Sequence, residues 1–213
     1  MLLKTINAAN AGALDKDLMS VGAFSLDQLM ELAGLSVSQA GGDGLVAARH
    51  LFHYGYEPTI FFPKKTGNEI YERLATQSKN LDIPFTDNFQ TSLDSSHHVV
   101  DAIFGFSFSG EVRDPFRDVI TALENTKVPV LSVDAPSSWS IEDGPPSSGP
   151  GAKFHPASLI SLTAPKPLVK HFKGTHFVGG RFLPLSVAKK YDLDYPEYQG
   201  VDQILEISSG SKM

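Results

Sequence analysis

The chain has 213 residues, a formal net charge of -6 and a pI near 5.6. With 41% hydrophobic and 20% charged residues it is long enough to bury the core of one globular domain. The acidic balance argues against a nucleic-acid partner, because such proteins gain affinity from a basic face. The sequence contains no cysteine, which excludes disulfides, thiolate metal sites and a cysteine nucleophile. No run approaches the roughly 18 apolar residues of a membrane span, and the acidic start is unlike a targeting peptide. We therefore expect a protein with no membrane partner, located in the cytoplasm and in second place in the mitochondrion.

Three helices are predicted in the first 55 residues, and the first two are amphipathic. Apolar positions recur at helical spacing over 8–19 and again over 26–37, where Ser25 and Gln28 form a capping box. Asp43 can cap a third helix that ends at Gly55. The remaining predicted elements are strands at 58–62, 97–104, 128–134 and 157–163, helices at 68–79 and 115–125, and a last edge strand at 181–185.

Strands and helices thus alternate, and the strands are almost continuously apolar. This pattern predicts a mostly parallel sheet with helices on both faces, which is a three-layer α/β/α Rossmann-like sandwich. The segment 142–151, EDGPPSSGPG, is a loop by composition. We expect one domain over residues 1–207 and a disordered tail at 208–213.

Two aspartates lie at or near the ends of predicted strands of this sheet. Asp101 is near the end of the strand 97–104, which runs into the loop GFSFSGE, whereas Asp134 ends the strand 128–134, which runs into APSSW and its Ser137. Ligands of such sheets bind beyond the carboxyl ends of the strands, so these side chains are expected to meet at one edge. Each aspartate alone is as easily explained as a turn former or a helix cap. Together with Ser137 they would suit a hard cation that prefers oxygen ligands.

A glycine-rich segment precedes the third helix. Gly41, Gly42 and Gly44 surround Asp43, and free N–H groups at a helix start favour phosphate. An ordinary helix start with an aspartate cap explains the same residues equally well. The sequence leaves both interpretations open.

Several segments together resemble the NAD(P)H-hydrate epimerase family, also known from the YjeF N-terminal domain and the apolipoprotein A-I binding protein. In chain order they are DQLMELAGLSVSQA, GGDGLVAARHL, GYEPTIFFPK, VVDAIFGFSFSGEVRDPF, VPVLSVDAPSSW, LISLTAPK and GGRFLP. The resemblance spans roughly residues 5–207, and VDAIFGFSF is its most specific motif. It implies an isomerase that interconverts the R and S hydrates of NADH and NADPH, NADHX and NADPHX, in nicotinamide nucleotide repair.

The resemblance also implies the site residues and the assembly. Potassium would be bound by Asp101 and Ser137, and Asp134 would be a catalytic acid or base as well as a substrate contact. A homodimer is expected. The implied substrate-binding residues are Gly41, Gly42, Asp43, Gly105, Phe106, Ser107, Phe108, Ser109, Gly110, Glu111 and Asp134.

The sequence departs from the family before Gly41. The family loop reads GPGNNGGDG and follows an apolar strand, whereas here the second predicted helix runs directly into Gly41. About two dozen residues are therefore expected to be missing, among them a central strand and an asparagine that would bind potassium. Ser109 stands where the family commonly has lysine. Ser138 replaces a glycine, so its backbone is expected to avoid conformations open only to glycine.

Two other functions are compatible with parts of the sequence. A non-catalytic binding or scaffold protein, or an inactive variant of the epimerase, would fit the missing segment. A dinucleotide oxidoreductase fits poorly, because no G-x-G-x-x-G follows a strand.

Overall fold

The computed structural model describes residues 3–40, 44–63, 68–106 and 108–207, with the backbone alone for 38–40. Within this part of the chain the helices are α1 Ala8–Ser20, α2 Leu26–Ala40, α3 Gly44–His53, α4 Glu69–Lys79, α5 Phe89–Ser95, α6 Phe116–Asn125 and α7 Leu185–Lys190. A 3-10 helix covers Pro167–His171. The strands are β1 Ile60–Phe61, β2 Phe85–Thr86, β3 Val99–Asp101, β4 Val130–Val133, β5 Ser158–Leu162, β6 Thr175–Gly179 and β7 Ile204–Ile207.

The strands form two sheets. In the larger one, five strands lie in the order β3-β4-β5-β6-β7, and all neighbours are parallel except β6 and β7. In the smaller one, β1 pairs with β2 in parallel. The mostly parallel α/β architecture is therefore as predicted.

The two sheets are separate in the described residues. Each of β1 and β3 has a strand neighbour on one side only. Phe61 of β1 nevertheless packs in the same apolar cluster as Val99 of β3, so the smaller sheet adjoins the larger at this edge. The break agrees with the expected loss of a central strand.

Helices cover both faces of the larger sheet. Val37 of α2 clusters with Leu131 of β4, whereas Val119 of α6 clusters with Val130, the neighbour of Leu131. Because successive strand residues point to opposite faces, α2 and α6 lie on opposite faces. The layers are therefore helix, sheet and helix.

The predicted capping box fixes where α2 begins. The Ser25 N–H donates to Gln28 Oε1 at 2.8 Å, and the Gln28 N–H donates to Ser25 Oγ at 3.2 Å. The glycine at 34 lets α2 and α3 approach closely, because a Cβ at that position would overlap the side chain of Val46. The two helices are therefore packed directly against each other.

One predicted element is wrong and several were missed. Residues 181–185 form no strand but a turn leading into α7, since β6 ends at Gly179 and the last edge strand is the antiparallel β7. The sequence did not reveal β2, α5, the 3-10 helix, β6, α7 or β7. The predicted tail at 208–213 lies outside the described residues. No helix in the described part of the chain is both long and apolar enough to cross a membrane.

Candidate active site at the carboxyl edge of the sheet

Asp101 is the centre of a buried hydrogen-bond network at the ends of β3 and β4. Its side chain is 1% exposed. Oδ2 accepts hydrogen bonds from Ser132 Oγ and from the Ser137 N–H, both at 2.8 Å, and Oδ1 accepts one from Ser137 Oγ at 2.5 Å. The structure therefore brings the two predicted potassium ligands, Asp101 and Ser137, into direct contact.

Ser137 also holds the loop that follows β3. Its Oγ accepts a hydrogen bond from the Phe104 N–H at 3.2 Å. The phenyl ring of Phe104 stacks on Phe108 with the ring centres 4.5 Å apart. The loop after β4 thus orders the first turn of the loop predicted to bind substrate.

The charge of Asp101 has no cationic partner among its described contacts, since all its hydrogen-bond donors are neutral. Burial raises the pKa of Asp101, and the hydrogen bonds from Ser137 and Ser132 oppose that rise. A buried carboxylate of this kind is stabilised by a cation. Carboxylate and hydroxyl oxygens such as those of Asp101 and Ser137 are the type of ligand that hard cations prefer.

Asp134 forms a second polar cluster at the end of β4. Its backbone is left-handed, with φ 60°. Oδ1 accepts hydrogen bonds from Lys166 Nζ at 2.6 Å and from the Leu162 N–H at 2.9 Å. Lys166 Nζ also donates to the Leu162 carbonyl at 2.8 Å, and its side chain is only 2% exposed. Asp134 is therefore held as half of a buried ion pair.

A further carboxyl group, that of Asp15 on α1, lies close enough to this ion pair to interact with it electrostatically. Burial raises the pKa of Asp15, repulsion from Asp134 raises it further, and attraction to Lys166 lowers it. Helix α1 is held beside Lys166, because the Ile6 N–H donates to the Pro165 carbonyl at 2.8 Å. Three ionisable groups from three segments of the chain therefore share one region.

The loop after β3 is partly described. Phe106 is half-buried and packs in two apolar clusters, one of them with Ala8 of α1 and the other with Ala11. The more exposed members of the loop are Gly105, Ser109, Gly110 and Glu111. Ser107 lies outside the described residues.

The glycine-rich segment can be located only by its neighbour. Gly41, Gly42 and Asp43 lie outside the described residues. Helix α3 begins at Gly44, where an added Cβ would be 3.7 Å from the Cβ of Ala102. The start of α3 is therefore beside the residue that follows Asp101.

The backbone expectation for Ser138 is wrong. Its φ is 85°, in the left-handed region that favours glycine. The hydroxyl is buried and has no hydrogen-bond partner within the described structure. Gly151 packs so closely over this side chain that a Cβ at 151 would overlap it. The serine thus keeps a glycine conformation because its neighbours fix the chain there.

Sequence reasoning assigned no role to Lys166 or Asp15. A signal for Lys166 is available: it lies between Pro165 and Pro167, soon after β5, at the carboxyl edge of the sheet. Asp15 carries no such signal, because an aspartate on an amphipathic helix is usually solvated. Only the packing of α1 reveals it.

Comparison with known proteins places this arrangement in context. Residues 32–168 match the family described as YjeF-related protein N-terminus. A protein of Neurospora crassa named NAD(P)H-hydrate epimerase is 62% identical, with 98% of each chain covered. One of Fusarium vanettenii with the same name is 57% identical, with 100% of each chain covered. The crystal structure of yeast ynu0, YNL200c, superposes with a TM-score of 0.90 at 36% identity and covers 96% of this chain and 100% of that chain.

These alignments also measure the missing segment. The alignment with the Fusarium vanettenii protein has 236 positions and includes 100% of the 213 residues of this chain. About 23 of its positions therefore have no residue here. The number agrees with the two dozen residues expected to be missing before Gly41.

Proposed function

This chain belongs to the NAD(P)H-hydrate epimerase family, whose members are isomerases, and we propose that it interconverts the R and S forms of NADHX and NADPHX. The observation that carries the proposal is the meeting of two polar clusters at one sheet edge. Asp101 and Ser137 form one cluster, and Asp134 and Lys166 form the other. A scaffold protein has no need to keep buried charges at this edge, because burying them costs stability.

The reaction changes the configuration of the carbon that carries the hydroxyl group. The hydroxyl must leave and water must return on the other face, which requires a proton donor and a proton acceptor. We assign proton transfer to Asp134, whose carboxylate is fixed by Lys166 and by the Leu162 N–H. Its orientation is set before substrate binds, so the group needs little rearrangement in the transition state.

We further propose that the substrate lies between the start of α3 and the loop after β3. We propose that phosphate groups of the nucleotide lie at the start of α3, because free N–H groups and the helix dipole favour anions at a helix start, and that Gly41, Gly42 and Asp43, which precede α3 in the sequence, bind them. The proposed loop contacts are Gly105, Phe106, Ser107, Phe108, Ser109, Gly110 and Glu111.

Potassium is proposed as the cofactor, bound by Asp101 and Ser137. Support comes from the buried carboxylate, whose described hydrogen bonds all come from neutral donors. The ion would supply fixed positive charge beside the substrate. Asp101 and Ser137 also join the end of β3 to the end of β4, so ion binding is expected to order the substrate loop through Phe104.

An inactive variant of the epimerase, serving as a binding or scaffold protein, is the second candidate. The separation of the two sheets favours it, since the smaller sheet adjoins the proposed nucleotide site. A homodimer, and a location in the cytosol with the mitochondrion in second place, stay predictions from the sequence.

The deciding experiment follows the equilibration of purified R-NADHX and S-NADHX by chromatography, with potassium or with the larger tetramethylammonium ion as control. The same assay is run on a chain that regains the strand and GPGNN before Gly41. We expect potassium-dependent equilibration, and loss of it in Asp134→Asn. Equilibration in the restored chain alone would identify the present chain as the inactive variant. No equilibration in either chain would overturn the proposed function.

A further inference from the structure

Asp15 lies on the face of α1 that is turned toward the candidate active site. Ala8 packs in a cluster with Phe106, and a Cβ at Gly12 would be 4.0 Å from the Phe106 ring. Residues 8, 12 and 15 follow the i, i+4, i+7 spacing of one helical stripe. Asp15 therefore continues the stripe that already contacts the substrate loop.

The segment containing Lys166 lies under the same helix. Leu14 and Leu18 of α1 pack in one cluster with Ala164. The backbone of Ile6, just before α1, is hydrogen-bonded to Pro165. Ala164 and Pro165 are thus held beside α1 and the residue just before it, and the adjoining Lys166 lies close enough for Asp15 to interact electrostatically with Lys166 and with Asp134.

Asp15 differs from the other aspartate of this helix in having no structural role. Asp17 accepts hydrogen bonds from Lys190 Nζ at 2.5 Å and from the Tyr191 hydroxyl at 2.7 Å, which join α1 to α7. No described residue donates a hydrogen bond to the Asp15 carboxyl group, although that group is partly withdrawn from water. Such a group costs stability when ionised, and no described hydrogen bond offsets that cost.

We propose that Asp15 is a second catalytic carboxyl group, which protonates the departing hydroxyl of the hydrated nicotinamide while Asp134 is held in its ion pair with Lys166. The inference rests on the proposed epimerase function. Two carboxyl groups in different environments are the usual means of obtaining an acid and a base from one residue type. Lys166 stabilises the charge of Asp134, whereas the burial of Asp15 and the charge of Asp134 both favour the protonated form of Asp15.

The proposed step is balanced in atoms and charge. The Asp15 proton moves to the hydroxyl oxygen, the C–O bond breaks, and the ring nitrogen lone pair forms a C=N⁺ bond as water leaves. Water then adds to the other face of the same carbon and gives one proton to a carboxylate. The product is the epimer, no electrons are gained or lost, and the carboxyl group is restored when that proton returns to Asp15.

The test compares Asp15→Asn with Asp17→Asn, the same change on the same helix but outside the site. Wild type and both variants are each made in two forms, the present chain and the chain that regains the strand and GPGNN before Gly41. The rate of equilibration is measured for each protein from pH 5 to 9. We expect Asp15→Asn to slow equilibration roughly 10²-fold or more, to lose the limb of the pH profile that falls as the acid ionises, and to change KM less than threefold. Asp17→Asn should stay within threefold of wild type. Asp15→Glu should recover part of the rate.

The outcomes separate this inference from the proposed function. If the wild-type protein equilibrates the hydrates and Asp15→Asn does so equally fast, the proposed role of Asp15 is overturned and the epimerase function stands. If no wild type is active, the carboxyl carbon of Asp15 is titrated by NMR, with and without Asp134→Asn. A pKa above the ordinary range that falls in Asp134→Asn supports the shared site, and an ordinary pKa that is unchanged in Asp134→Asn overturns it.

Discussion

The two sheets of this molecule differ in how completely they are built. The five-stranded sheet is continuous, and Asp101, Asp134 and Lys166 are all positioned at its carboxyl edge. The two-stranded sheet is formed by two residues from each strand and depends on α3 and α4 for cover. The groups proposed for chemistry thus lie in the complete region, whereas the proposed phosphate contacts lie next to the incomplete one.

This difference between the sheets is expected to affect proton transfer and nucleotide binding unequally. Proton transfer needs fixed side chains, and these are supplied by β3, β4 and the segment after β5. The proposed nucleotide binding uses the start of α3, which is attached to the smaller sheet through Ile60 and Leu45. We infer that loss of a strand between the regions weakens substrate binding more than it disturbs the geometry of Asp134.

The largest expected effect comes from restoring the missing segment. A central strand would give β1 and β3 a neighbour on both sides, and roughly eight hydrogen bonds at about 0.5–1.5 kcal/mol each should raise the free energy of unfolding by about 5 kcal/mol. Urea denaturation measures this change. Hydrogen exchange localises this change. In the present chain the Ile60 N–H, which donates to the Pro84 carbonyl, should exchange much faster than the Thr175 N–H, which donates to the Ala157 carbonyl.

Restoration should make these two amides similar in protection. The comparison of regions would be wrong if Ile60 were already as protected as Thr175 in the present chain. A control insertion of the same length, made of glycine and serine, should leave Ile60 unprotected because it cannot supply a paired strand.

The contrast between the two sheets also explains what could be predicted from the sequence. Strands of the larger sheet are apolar runs, and those at 97–104, 128–134 and 157–163 were found. The strand at Phe85–Thr86 is too short to show a pattern. The last edge strand was misplaced because β7 pairs antiparallel with β6 after α7, a long-range choice that no local pattern reveals.

The candidate site shows the same limit. Asp101, Asp134 and Ser137 could be placed together from the sequence because they lie at or just after strand ends, where topology alone brings residues to one edge. Lys166 and Asp15 were missed because their positions near Asp134 depend on tertiary packing. Local sequence therefore predicted where the two aspartates lie and not which ionisable groups lie near Asp134.

The next largest effect is expected from Lys166→Met. It leaves Asp134 buried without its cation, and breaking such a pair typically costs 3–5 kcal/mol; we expect about 3 kcal/mol because Asp134 keeps its hydrogen bond from Leu162. Chemical denaturation measures the loss. Lys170→Met, at an exposed position four residues along the chain, should change stability by less than about 0.5 kcal/mol. Similar values for the two variants would show that the ion pair contributes little.

His176 gives the complete region a measurable pH dependence. It is hydrogen-bonded to Ser161 at 2.9 Å, and burial, followed by the charge of Lys166, lowers the pKa of His176 to about 4. The folded protein therefore binds this proton less readily than the unfolded chain does. Its stabilising effect is complete above about pH 6.5 and is lost as the pH falls toward 4, by at most about 3 kcal/mol.

His176→Gln keeps a partner for Ser161 and cannot titrate, so its stability should fall less than that of wild type between pH 6.5 and 4. The difference between the two proteins in free energy of unfolding gives the contribution of His176 alone. Carboxyl groups such as Asp101 and Asp15 contribute equally to both proteins, and their raised pKa values change stability with pH in the opposite direction. His98→Gln, at an exposed position, is the control and should match wild type. Parallel curves for wild type and His176→Gln would contradict the assignment.

The smallest expected effect is a gain in stability at Ser138, beside the Asp101 network. Ser138→Gly removes a buried hydroxyl that has no described partner, and it relieves the left-handed backbone at φ 85°. Those two gains exceed the greater entropy of glycine in the unfolded chain, which costs about 0.5–1 kcal/mol. The free energy of unfolding should therefore rise by about 1 kcal/mol. Ser138→Ala removes the hydroxyl but keeps the strained backbone, so it should gain less than glycine does. An alanine variant at least as stable as the glycine variant would show that the backbone at 138 is unstrained. The loss of free energy of unfolding caused by serine would then come from its buried hydroxyl alone.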